Sequence, residues 1–124
     1  MSRGLKTTFL VHAIVTLAFG VVLYLIPNTW AALVNWVPYD PTVTRLYAAA
    51  LLAIGVGSWL GYRAAHWDEV RIAVQMELVL TVLSGIISLY SALFASAPLF
   101  IWVTVVIFVG FAAAWVYFYR QAQS

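Results

Sequence analysis

The 124-residue chain contains no cysteine. Disulfides, thiol catalysis, iron–sulfur clusters and cysteine-based zinc sites are thereby excluded within it. Charge is almost as scarce: six Lys and Arg and four Asp and Glu make up 8% of the residues, against about 25% in a soluble domain. There is no phosphate-binding glycine loop and no nucleophilic triad. Almost no chain lies outside the apolar runs to build a catalytic domain. The two histidines, His12 and His66, fall at different depths and no CxxCH occurs, which argues against haem. No metal and no cofactor is expected. The pI is about 9.2, but the basic residues are few and lie at the ends of apolar runs, so they read as topology signals and not as a nucleic-acid surface.

What the chain has is apolar bulk: 65% of residues are hydrophobic and the mean hydropathy is +1.01. Nearly every stretch between turn signals exceeds the ~18 residues of a membrane span. Backbone polar groups in lipid must be satisfied within the chain, which leaves helices or a closed barrel. Barrel strands would be ~10 residues of alternating polarity, whereas these runs are continuous and twice as long. The expected fold is all-α, a single domain over 1–124 with four transmembrane helices at about 6–26, 41–63, 69–95 and 98–120. At 1.5 Å per residue each covers the ~30 Å hydrocarbon core. The first run is longer than a signal-peptide core and lacks a small-residue cleavage site, so it reads as a retained helix. Asp40 and Asp68 are the expected caps of the second and third spans, and Pro41 and Pro98 suit first helical turns.

Between the first two spans, Trp30, Leu33, Val34 and Val37 recur at helical spacing. This predicts a short interfacial amphipathic helix over about 29–37, ended by Pro38, with an ordinary packed loop as the alternative. Trp30 and Trp36 are its interfacial anchors. Arg45, early in the second span, is a further anchor that can pair with Asp40, bind lipid phosphate or hydrogen-bond a helix end. Tyr62, Trp67, Trp115, Tyr117 and Tyr119 mark the opposite aromatic belt. Arg3, Lys6, Arg63, Arg71 and Arg120 all fall on one side of these spans, which places both termini in the cytoplasm.

Polar and small residues inside the spans form stripes. Thr8, His12, Thr16 and Gly20 recur in the first. Ala49, Ala53, Gly57 and Gly61 recur in the second, and Glu77, Thr81, Ser84, Gly85, Ser88, Ser91 and Ala92 in the third. Small residues let helix backbones approach closely and hydroxyls bond across helices, so these faces are expected inside the bundle, with Gly57, Gly61 and Gly85 as packing positions. His12 lies six residues beyond Lys6 and Glu77 six beyond Arg71, so both sit roughly 9 Å below the same end. An imidazole beside a carboxylate in lipid is either a structural pair or a proton or head-group site, with Thr8, Thr16 and Thr81 as neighbours.

The layout of a first span, a Pro-flanked segment (Pro27 to Pro38), Arg45 opening "RLYAAALLAIGVGSWL" with Gly55 and Gly57, and two polar-flecked spans resembles the DoxX-like group of small four-helix bacterial and archaeal membrane proteins. The resemblance implies a prokaryotic cytoplasmic membrane and an accessory role near quinone-linked oxidoreductases. It carries over no catalytic residue. Three functions follow: a non-enzymatic accessory or assembly subunit bound to other membrane subunits or to itself; a quinone- or lipid-binding or proton-translocating protein using His12 and Glu77; and, least supported by the residues, a redox enzyme in its own right.

Overall fold

Helix starts and stops follow the local chemistry closely. The computed structural model describes residues 1–123 and contains α1 (Arg3–Leu25), α2 (Pro27–Leu33), α3 (Pro41–Arg63), α4 (Trp67–Phe94) and α5 (Ile101–Gln123), with no strand among the described residues. α1, α3, α4 and α5 are long and apolar enough to cross a bilayer. Asp40 caps α3 as expected, its Oδ1 accepting the Val43 amide at 3.0 Å with Pro41 in the first turn.

Other boundaries differ from expectation, each for a local reason. α1 begins at Arg3 because Ser2 Oγ accepts the Leu5 amide at 3.1 Å. α4 begins at Trp67 with His66, not Asp68, at the cap. Glu69 decides this: its carboxylate accepts the Ala65 amide at 2.9 Å and the His66 amide at 3.3 Å, satisfying two free donors at once. Pro98 to Phe100 form a turn before α5, with Ile101 N–H donating to Pro98 O. α2 starts at Pro27 and ends four residues earlier than the predicted 37, where Asn35 turns into the left-handed region at φ 57°. Its buried side is therefore Pro27 and Ala31, while the predicted face residues Leu33 and Val37 are 79% and 66% exposed.

The helices form two antiparallel hairpins, α1 on α3 and α4 on α5, with slighter contact between them. Close approach within the first hairpin comes from glycine: Cβ atoms at Gly20, Gly55 and Gly61 would meet Leu52, Leu17 and Phe9 at 2.6–2.8 Å. The buried face of α3 is Ala48, Leu51, Gly55, Ser58 and Gly61. This corrects the predicted stripe: Ala49 and Ala53 are exposed, and nothing lies within 4 Å of a Cβ at Gly57. Strict steps of four rotate about 40° each around a 3.6-residue helix, so such a run leaves a face that mixed steps of three and four keep. Gly85 is buried and meets Val109 and Phe108 of α5 at ordinary contact distances.

The hairpins join at the end that carries both termini. There Leu5 and Phe9 of α1, Val70 and Val74 of α4 and Trp115 of α5 form one core. Trp115, expected in an aromatic belt, is fully buried and packs against Phe9 with the rings tilted and centroids 4.9 Å apart. Toward the opposite, loop end, the first hairpin has its own cluster of Leu23, Ala48 and Leu51, against which Phe19 and Trp30 pack.

Candidate functional site

Just beyond the shared core the four long helices meet at one side chain. His12 of α1 is 2% exposed. Its Nδ1 lies 2.8 Å from Ser58 Oγ of α3, and its Nε2 lies 3.4 Å from Glu77 Oε2 of α4. From α5, Phe111 and Trp115 present ring edges to the imidazole at centroid distances of 4.6 and 5.5 Å. The predicted His12–Glu77 juxtaposition is thus present in the structure. With the ring proton on Nε2 facing the carboxylate, Nδ1 accepts from the Ser58 hydroxyl, so one tautomer serves both neighbours. The Nε2–Oε2 contact is electrostatic and not an aligned hydrogen bond: Glu77 Oε2 has no hydrogen-bond donor, and neither does the buried Trp115 Nε1 find an acceptor.

The three threonines hydrogen-bond within their own helices, and Thr16 also lines the cavity described below. Thr16 Oγ1 donates to His12 O at 2.7 Å, Thr81 Oγ1 to Glu77 O at 2.7 Å, and Thr8 Oγ1 to Gly4 O at 2.9 Å. Each hydroxyl is spent on its own helix one turn back, which satisfies it in an apolar setting. Thr16 and Thr81 fix the backbone at His12 and Glu77, and Thr8 stands apart from the pair. Ser58 was missed in the sequence. Its signal was a lone hydroxyl three residues from both Gly55 and Gly61, on the true inner face of α3.

From His12 toward the loop end the hairpins enclose a cavity of about 460 Å³. His12 and Phe111 stand at its floor, and Trp30, Trp36 and Phe100 roof it. Trp30 packs on Trp36 and Phe100, each with centroids 5.6 Å apart. The walls are mainly apolar, flecked by Ser84, Ser88, Ser91 and Thr104. Glu77 and Ser58 do not reach the lining. Arg45 does not either: its Nε donates to Tyr24 O at 3.1 Å, holding the last turn of α1, one of the roles open to it in the sequence. Among the described residues no group of His, Cys, Asp and Glu is placed to hold a metal ion.

The fold and site define a small polytopic integral membrane protein, an all-α bundle of four membrane-length helices and one short helix with a side cavity. Comparison with protein-family models, curated proteins and solved structures finds no match to the chain.

Proposed function

We propose that the protein binds a small amphipathic molecule of the lipid or quinone type between its hairpins. The observation that carries this reading is the cavity. Its volume of about 460 Å³ lies in the range of small-molecule sites, which are mostly apolar with a few polar groups. Its depth, from Leu23 to His12, is eleven residues of α1, roughly 16 Å. In this reading His12 and Glu77 serve the site by tying α1, α3 and α4 together at the floor. The packing of Phe9, Val74 and Trp115 beneath them favours a dead-end pocket over a translocation path. The basic residues clustered at the end bearing the termini support a cytoplasmic location for both ends.

The test is extraction from a native-like membrane in mild detergent, followed by mass spectrometry of the co-purified organic molecules. Wild-type protein is expected to carry a lipid or quinone in near-stoichiometric amount, and Ser88→Phe, which fills the cavity, to lose it while keeping its helical content. Equal loading of both proteins would sink the cavity as the site.

One observation favours an accessory or self-associating role alongside binding. The stripe Ala49, Ala53 and Gly57 lies on the outer surface of α3, where small residues favour helix association in lipid. The DoxX-like resemblance supports the same role. A Gly57→Leu variant is expected to shift the protein from a complex or oligomer to monomer on blue native gels. An unchanged migration would remove this reading.

A further inference from the structure

Tyr39, in the segment between α2 and α3, lines the loop end of the cavity, and its hydroxyl is buried without a hydrogen-bond partner. A desolvated hydroxyl left unpaired is unfavourable by an amount a ligand group would recover. The floor has the opposite character. Both nitrogens of His12 are already turned to Ser58 and Glu77, so the imidazole offers a ligand only its carbon surface, beside Phe111. Tyr39 thus sets a desolvated, unpaired hydroxyl at the roof, the Ser84, Ser88 and Ser91 hydroxyls stand along the α4 wall, and the floor is saturated and apolar.

The charge pattern narrows the ligand. None of the described lining residues is Lys, Arg, Asp or Glu. The nearest ionic groups along the chain, Asp40 and Arg45, do not line the cavity and serve helix ends, the Asp40 carboxylate accepting the Val43 amide and Arg45 Nε donating to Tyr24 O. A charged head at the roof would meet no ionic side chain in the cavity wall.

The route of access agrees. α3 and α4 touch little, and the lining residues facing this seam, Val43, Tyr47 and Ile87, are exposed. A bilayer lipid holds its head at the interface, at the level of the Trp and Tyr belt, and its tail toward the midplane. Sliding sideways through the seam, it would keep that orientation, with the head arriving at Tyr39 and the tail at His12.

We infer that the cavity takes a single-chain amphiphile with an uncharged hydrogen-bonding head, such as a long-chain alcohol or monoacylglycerol, inserted with its head at Tyr39 and its chain end against His12 and Phe111. This rests on the cavity being a ligand site, as proposed above.

The test uses the full chain in phosphatidylcholine vesicles with two photoreactive long-chain alcohols, one bearing a diazirine at the chain end and one beside the hydroxyl. Cross-linked residues are located by mass spectrometry. The chain-end probe is expected on Val15, Phe108 or Phe111 and the head-side probe on Trp36, Tyr39 or Thr44. The reverse pattern overturns the orientation and leaves the cavity reading standing. Labelling confined to outward residues such as Val79, Leu83 and Val106 sinks both. A fatty acid or a lysophosphatidylcholine that displaces the alcohol at lower concentration than unlabelled alcohol does would overturn the uncharged head. Tyr39→Phe keeps the ring and removes the unpaired hydroxyl. It is expected to weaken alcohol binding about 3–10-fold without lowering the Tm of the ligand-free protein, and unchanged affinity would overturn the assignment of Tyr39.

Discussion

His12 and Glu77 stand 3.4 Å apart across the seam between the two hairpins. Ser58 holds the other nitrogen of the imidazole and Phe111 and Trp115 flank the ring, so the contact draws on all four long helices. Removing either member has unequal effects. His12→Ala takes the imidazole from the buried Glu77 carboxyl and leaves a void beside two aromatic rings, and is expected to destabilise the protein by about 2–4 kcal/mol. Glu77→Gln keeps shape and hydrogen-bonding capacity, and a loss of about 1 kcal/mol is expected. Because the two side chains touch, the double variant should lose less than the sum of the singles. Unfolding in mixed micelles measures all three, and strict additivity would show that the pair is not coupled.

Two glycines on α3 separate packing from propensity. At Gly61 a Cβ would lie 2.7 Å from the Phe9 ring, which is fully buried and has nowhere to go. Gly61→Ala should cost about 1–3 kcal/mol. Gly57 faces open space, and Gly57→Ala should leave the monomer unchanged or stabilise it by up to about 1 kcal/mol through helix propensity. Thermal melts of the two variants in one detergent compare them directly.

At the loop end, Asp40 and Arg45 secure two helix termini. Asp40→Ala removes the α3 cap and should cost about 0.5–2 kcal/mol, with Asp40→Asn retaining most of it. Arg45→Met deprives Tyr24 O of its donor and should cost about 1 kcal/mol. Hydrogen exchange is expected to quicken at Val43 and Thr44 in the first variant and near Ile26 in the second. The reverse distribution would contradict the assigned bonds.

Trp115 carries bulk and an unsatisfied N–H in the same site. Trp115→Ala should be severe, about 3–5 kcal/mol. Trp115→Phe keeps an aromatic ring while removing the unpaired donor, and should cost far less. Equal losses in the two variants, read from denaturant midpoints, would mean that the indole N–H has a partner after all.

Much of this was legible in the sequence. Continuous apolar runs fixed the helix count, Asp40–Pro41 fixed the start of α3, and the matched depths of His12 and Glu77 anticipated their meeting. The rest depended on rotation and on contacts that spacing does not encode. Strict four-residue spacing drew attention to Ala49, Ala53 and Gly57, yet α3 turns Ala48, Gly55 and Ser58 inward. Trp115 carries the residue type of an interfacial belt, and only its placement between Phe9 and His12 reveals a core residue. The cavity lies between five helices and two connecting segments, and no local pattern announces it.

The pairing of α1 with α3 and of α4 with α5 also bears on how the protein is made. Each pair is continuous in the chain apart from the short α2, and each has its main packing partner within itself. The first pair can therefore assemble in the membrane while the second is still on the ribosome, and docking of the two completes the His12 node and the cavity together. The connection at 64–66 is then a natural place to divide the gene. Two co-expressed fragments, ending at Arg63 and starting near Ala64, should reassemble into the same bundle, each half inserting as a stable unit that alone holds no pocket.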